Sequence, residues 1–137
     1  MIYRLISATL LAGLIAGCAP QQVRPTVQRI PFPVAEYEKL AKEGTSSLKG
    51  QIFMKTRGGD VKFGAGQEIN LNPVTSYSNQ WYEENYTLHN MLTPQDDRQN
   101  AYIRKKIADG NGRFEFKNIP AGEYYVTGAV TWEAPTG

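Results

Sequence analysis

The apolar positions of this chain change period several times, and each change marks an element. Residues 5–16 are a largely apolar, uncharged run of about 12 residues behind a single charge, Arg4. That falls short of the roughly 20 residues a membrane-spanning helix needs and suits a signal-peptide core. Residues 18–33 carry neither hydrophobic period but hold Pro20, Pro25, Pro31 and Pro33. They read as a semi-extended tether that reaches at most roughly 45 Å at ~3.1 Å per residue. Residues 34–43 then take a helical period, with Val34, Tyr37, Leu40 and Ala41 on one face and Glu38 four residues before Lys42. Pro33 suits the first turn and Gly44 the C-terminal cap, which bounds a short helix at 34–44. Ten residues do not hold a helix alone in water, so it must dock, on its own domain as the plainer reading or on a partner.

From residue 47 the period becomes two. In 47–56, Leu48, Ile52 and Met54 alternate to one side and Phe53 to the other. Arg57-Gly58-Gly59-Asp60 is a turn, and Phe63-Gly64-Ala65-Gly66 is a second flexible link. In 67–71, Ile69 and Leu71 share a face against Gln67, Glu68 and Asn70, and Pro73 ends the strand. Residues 74–99 are aromatic-rich and irregular, with a short helix or an insertion expected over 79–89. Residues 101–108 read as a strand, with Tyr102, Arg104 and Lys106 on one side and Ile103, Lys105 and Ile107 on the other. Asp109-Gly110-Asn111-Gly112 is a tight reversal, Arg113-Phe114-Glu115-Phe116 a half-buried strand, and Asn118-Ile119-Pro120-Ala121-Gly122 a second turn. A last strand runs from 123 to about 132, with Val126, Gly128, Val130 and Trp132 opposite Tyr125, Thr127, Ala129 and Thr131. No such strand buries a face alone, so the pattern calls for a sheet and a second layer.

Asp109, Gly112, Phe114, Phe116, Ile119, Pro120, Gly122 and Tyr124 carry a family resemblance. Their order resembles the carboxypeptidase regulatory-like domain, and Leu48-Lys49-Gly50-Gln51-Ile52 and residues 66–73 resemble its first two strands. The resemblance covers roughly 47–132 within a domain placed at 47–137. It implies a mainly β fold, a prealbumin/Ig-like antiparallel β-sandwich with a short N-terminal helix. It implies little about function, because that scaffold serves many unrelated proteins. The family usually carries one more strand at the C-terminal end, so either an unpaired sheet edge or a truncated chain is expected, and open edges recruit partners by strand addition.

Ile15-Ala16-Gly17-Cys18 resembles a bacterial lipobox, which implies a signal peptide over 1–17, cleavage before Cys18 and lipid on that cysteine. Cys18 is the chain's one cysteine, so it has no internal disulfide partner. Ala19 follows it where an Asp would resemble an inner-membrane retention signal, which points to the outer membrane. Cleavage would leave 120 of 137 residues, one domain's worth. It would also leave 14 of the 15 Lys+Arg against 13 Asp+Glu, a balance that gives no support for nucleic acid.

Chemistry is sparse. One histidine, His89, is poor material for a metal or a nucleophile's base. Asp96, Asp97, Asp109 and Asn111 lack the spacing of a calcium loop. Hydroxyisourate hydrolase shares the prealbumin-like architecture, but its pattern has several histidines and a Tyr-Arg-Gly-Ser end, and neither is present. We therefore expect no enzyme activity and no cofactor. The expected role is a lipid-anchored binding or structural module with an envelope protein partner. The alternative is a carbohydrate-binding lipoprotein, with Trp81, Tyr82, Tyr86 and Trp132 as candidate ligand-binding residues.

Overall fold

The structure, a computed structural model, describes residues 23–132. Cys18 and the signal-peptide segment lie outside the described residues. Nine strands and two α-helical segments follow in order: β1 Thr26–Val27, α1 Val34–Tyr37, β2 Ser46–Gln51, β3 Phe53–Lys55, β4 Val61–Phe63, β5 Glu68–Pro73, α2 Ser76–Tyr82, β6 Met91–Leu92, β7 Arg104–Ile107, β8 Arg113–Ile119 and β9 Tyr124–Thr127. The expected mainly β, antiparallel sandwich is what forms. One layer is β2 paired with β8, extended by the β3–β4 hairpin; the other is β7-β5-β9. Ile69 and Leu71 of β5 meet Phe116 and Ile119 of β8 between the layers, with Leu48, Ile52, Phe114 and Tyr124 packed around them.

The alternation in 47–56 is borne out: Leu48, Ile52 and Met54 are part-buried and Phe53 is exposed. The strand is nevertheless broken at Ile52, which changes partners. Its N–H donates to Gly112 O at 2.8 Å and its carbonyl accepts from Gly64 N at 2.9 Å. That switch carries the chain from β8 to the β3–β4 hairpin, whose turn is the expected Arg57–Asp60 reversal.

Three expected boundaries are corrected. The helix over 34–44 stops after one turn at Tyr37, because the apolar period delivers only Tyr37 to the interior while Val34 and Ala41 stay exposed. It docks on its own domain, as expected. The strand over 101–108 keeps only 104–107, and Asp97–Ala101 forms a 3₁₀ turn instead. Ile107 lies opposite Glu68 on the sheet's polar face and is 60% exposed. The last strand stops at Thr127, and β9 pairs with β5 alone among the described residues.

Residues 23–33, expected within the tether, lie along the body. Arg24 donates from Nε to His89 O at 2.7 Å and from Nη2 to Asn90 O at 2.8 Å. β1 pairs in parallel with β6, and Arg29 Nε donates to Thr93 O at 2.6 Å. Phe32 then stacks on Tyr37 with ring centroids 4.5 Å apart and meets Tyr77 edge-on at 5.5 Å.

Gly112 and Gly59 give a paired stability prediction. Both hold positive φ, but a Cβ on Gly112 would come within 2.3 Å of Ile52 O, whereas one on Gly59 meets nothing within 4 Å. Gly59→Ala is expected to cost about 1 kcal/mol, the left-handed penalty alone. Gly112→Ala is expected to cost roughly 3 kcal/mol or more, since strain adds to a clash with backbone. Urea unfolding of both variants checks the difference; equal losses would contradict it.

Candidate functional site

The site begins with the two faces of β5. Ile69, Leu71 and Pro73 are buried, and Glu68, Asn70 and Asn72 alternate to the other side. Directly paired residues in an antiparallel sheet share a face. Asn70 pairs with Lys105 of β7 and Thr127 of β9, and Asn72 pairs with Tyr125. The outer face of this sheet is therefore built of amides, hydroxyls and one ion pair, Lys105 Nζ to Glu68 Oε1 at 3.1 Å.

A helix is started over the end of this face. Thr75 is its N-cap, and Thr75 and Ser78 exchange side-chain and backbone hydrogen bonds in a capping box. Ser78 Oγ also donates to Pro73 O at 2.9 Å, and the Thr75 and Tyr37 hydroxyls are hydrogen-bonded at 3.0 Å. Burial raises the Tyr37 pKa, opposed by hydrogen bonds with Thr75 and Gln99. The Glu36 carboxylate takes Ser76 N at 2.8 Å. So fixed, α2 carries Trp81 and Tyr82 at its end, and a π-helical turn over Glu83–Thr87 carries Tyr86. Wide turns of this kind recur at functional sites.

Four rings meet there. Tyr82 stacks on Tyr125 with centroids 5.0 Å apart at 15°, and on Tyr86 with centroids 5.5 Å apart at 22°. Those distances exceed the ~3.5 Å of face-on contact, so the rings are offset from one another like stairs. Trp81 stands edge-on to Tyr86 at 5.3 Å and to Tyr125 at 5.9 Å. Tyr82 is 45% exposed and Tyr86 55%. The Tyr125 hydroxyl donates to Asn79 Oδ1 at 2.8 Å. Its pKa is raised, first by burial and then by Tyr82 and Glu123.

Three of the four aromatic candidates thus come together. Trp132 does not: it is 47% exposed and follows the end of β9, with no ring partner among the described residues. Tyr125 was not anticipated. The signal was its alternation with Val126, which put it on the face opposite the core; what sequence lacked was the long-range pairing with Asn72. The expected helix over 79–89 begins earlier, at Ser76, and widens after Tyr82. His89 is exposed at φ 55°, and its carbonyl serves Arg24. Asp109 shapes the hairpin turn: its Oδ1 accepts from Asn111 N at 2.8 Å and Arg113 N at 2.9 Å, which lowers its pKa. Asp96 caps the 3₁₀ turn by accepting from Arg98 N at 3.0 Å and pairs with the Arg98 guanidinium at 2.7 Å.

No family model matches this chain, and no curated protein matches it. Among solved structures, it is similar to the crystal structure of a "putative carbohydrate binding protein" from Pseudomonas aeruginosa. The TM-score is 0.68 at 28% sequence identity, over 79% of this chain and 79% of that one.

The Asp96–Arg98 pair yields a pH prediction. Hydrogen bonds from Arg98 hold Asp96 at about 2, below its ordinary 3.8. A carboxyl whose folded pKa is depressed stabilises fully above its unfolded value, and that stabilisation is lost as pH falls through the folded value. The turn should therefore loosen between about pH 4 and 2. Carboxyl NMR titration is expected to place the Asp96 midpoint near 2 and to return it to the ordinary range in Arg98→Ala. A midpoint unmoved by that substitution would refute the pairing.

Proposed function

We propose that this chain is a non-catalytic binding module of the bacterial envelope, lipid-anchored through Cys18 in the outer membrane, and that its ligand is carbohydrate. The observation that carries the ligand class is the run of offset rings Tyr86–Tyr82–Tyr125 with Trp81 edge-on to it, in which Tyr82 and Tyr86 are exposed, beside an amide-lined sheet face. Aromatic faces carry negative charge and attract the C–H face of a sugar ring, while amides and hydroxyls match its hydroxyl rim. The similarity to the Pseudomonas aeruginosa protein supports the same class. The sandwich and the turns over 109–124 support the resemblance to carboxypeptidase regulatory-like domains. Arg4, the apolar run and Ile15-Ala16-Gly17-Cys18 support export and lipidation.

An envelope protein partner is the second reading. β9 bonds to β5 along one side only among the described residues, which leaves an edge able to accept a strand.

Intact mass of the membrane-extracted chain is expected to show a lipid-sized increment that Cys18→Ser loses; equal masses would overturn the anchor. On a glycan array the wild type is expected to bind, and Tyr82→Ala or Tyr86→Ala to weaken binding at least tenfold, about 1.4 kcal/mol. Absence of glycan binding alongside co-purification of a discrete envelope protein would favour the edge-strand reading.

A further inference from the structure

β7 and β8 follow one another in the chain but part after their turn. Asp109 N donates to Arg113 O at 2.9 Å and closes that turn. Beyond this bond no ladder joins the two strands among the described residues: β7 pairs with β5, and β8 pairs with β2. A furrow opens where they separate. Its two open hollows, of about 700 and 490 Å³, share Lys106 and Glu115 on their walls and so are continuous.

The furrow is lined with cations. Lys106 is paired with Ile69, and Arg104 with Leu71. Directly paired residues share a face, so both basic side chains stand on the core side of the edge strand, where a sandwich ordinarily carries apolar filling. Across the gap β8 adds Arg113 and Lys117, and β2 adds Lys49. Lys105 completes the set on β7. Glu115 is shared between Lys49 at 3.4 Å and Lys117 at 3.6 Å, and Glu68 is held by Lys105 at 3.1 Å. Asp109 is turned to the N–H groups of its own turn. Six cations against these three carboxylates leave an excess of three positive charges on one seam. The net charge of the whole chain is only +2, so the excess is a local concentration rather than general basicity. An inward lysine on an edge strand can serve to keep other strands away, but that purpose calls for nothing on β8 and β2.

The spacing of the cations tells what the seam fits. Arg113 and Lys117 are exposed and stand four residues apart on β8, about 13 Å at ~3.3 Å per residue. Groups so placed do not close on one small anion; they match charges repeated along a polymer. Lys105 also lines the hollow on the outer sheet face that Trp81 lines, so the furrow and the ring cluster share a rim.

We propose that the furrow between β7 and β8 binds an acidic polysaccharide, one that carries carboxylate or phosphate groups along its length. The rings hold sugar faces, and the furrow holds the anions. This assignment rests on the carbohydrate reading above and adds to it the charge class of the ligand.

The test titrates the full chain in detergent with two matched pairs: oligogalacturonate against its methyl ester, and phosphorylated dextran against dextran. Each acidic member is expected to bind at least about tenfold more tightly than its neutral counterpart. Raising salt from about 0.1 M to about 1 M shortens the screening length from about 10 Å to about 3 Å and should abolish that difference. Lys106→Gln combined with Arg113→Gln should abolish it too, with Tm unchanged, since both side chains are exposed. Tyr82→Ala should weaken acidic and neutral members alike. Equal binding of the two members by the wild type, or a difference that survives in the double variant, overturns the furrow and leaves the carbohydrate reading standing. So does a double variant that dimerises with its glycan binding intact, which would make the cations guards of the edge. Displacement of the acidic glycan by polyglutamate, or by phosphatidylglycerol in the micelle, at equal charge overturns the polysaccharide assignment. A wild type that binds no saccharide overturns both readings. Should the double variant not fold, the wild type decides: the Lys106 and Lys117 side-chain NMR signals must shift on saturation with the acidic glycan, and unmoved signals overturn the assignment.

Discussion

The buried hydroxyl relay at Tyr37, Thr75 and Ser78 is the constraint on which the rest of the molecule depends. Each member does two tasks. Thr75 caps α2 and holds Tyr37; Ser78 closes the capping box and reaches back to Pro73 at the end of β5. Tyr37 is fully buried and is packed by Phe32 and Tyr102. One net hydrogen bond is worth only about 1 kcal/mol, but a buried hydroxyl left unpaired costs about 1–3. The relay is therefore a matter of all or none. It joins the N-terminal segment, the central strand and the helix that presents Trp81 and Tyr82.

β5 shows how a single strand serves stability and recognition at once. Its inward residues complete the core against β8, and its outward residues stand on a face roofed by aromatic and amide side chains. The period of two separates these tasks cleanly. Substitutions at Ile69 or Leu71 act on packing, and those at Asn70 or Asn72 act on the surface chemistry.

Much of this was legible in the sequence wherever the signal was local. The alternation at Leu48, Ile52 and Met54, the split between Ile69/Leu71 and Glu68/Asn70, and the turns built on Gly112 and Asn118 all follow from side-chain period and from residues that accept positive φ. Less was legible where tertiary contacts decide. Ile52 changes partners although nothing in its neighbours marks a break. The one-turn helix at Val34–Tyr37 ends despite a continuing apolar period, because Tyr37 alone has somewhere to go. Residues 23–33 adhere through guanidinium groups, backbone and the single ring of Phe32, which leave no hydrophobic period to read. The aromatic candidates at 81, 82 and 86 were visible as a cluster. Tyr125 was hidden by a separation of 43 residues from Tyr82, bridged only by the pairing of β9 with β5.

The fastening of Arg24 to the His89 and Asn90 carbonyls sets a standoff. With a lipid on Cys18, only five residues separate the membrane attachment from this clamp. At 3.3–3.6 Å per residue their span is at most roughly 20 Å. A protein held on so short a leash cannot sweep the space above the bilayer. It would stay close to the headgroups, with the β1–β6 end nearest them, and would meet only polymers that approach the membrane to within about its own diameter.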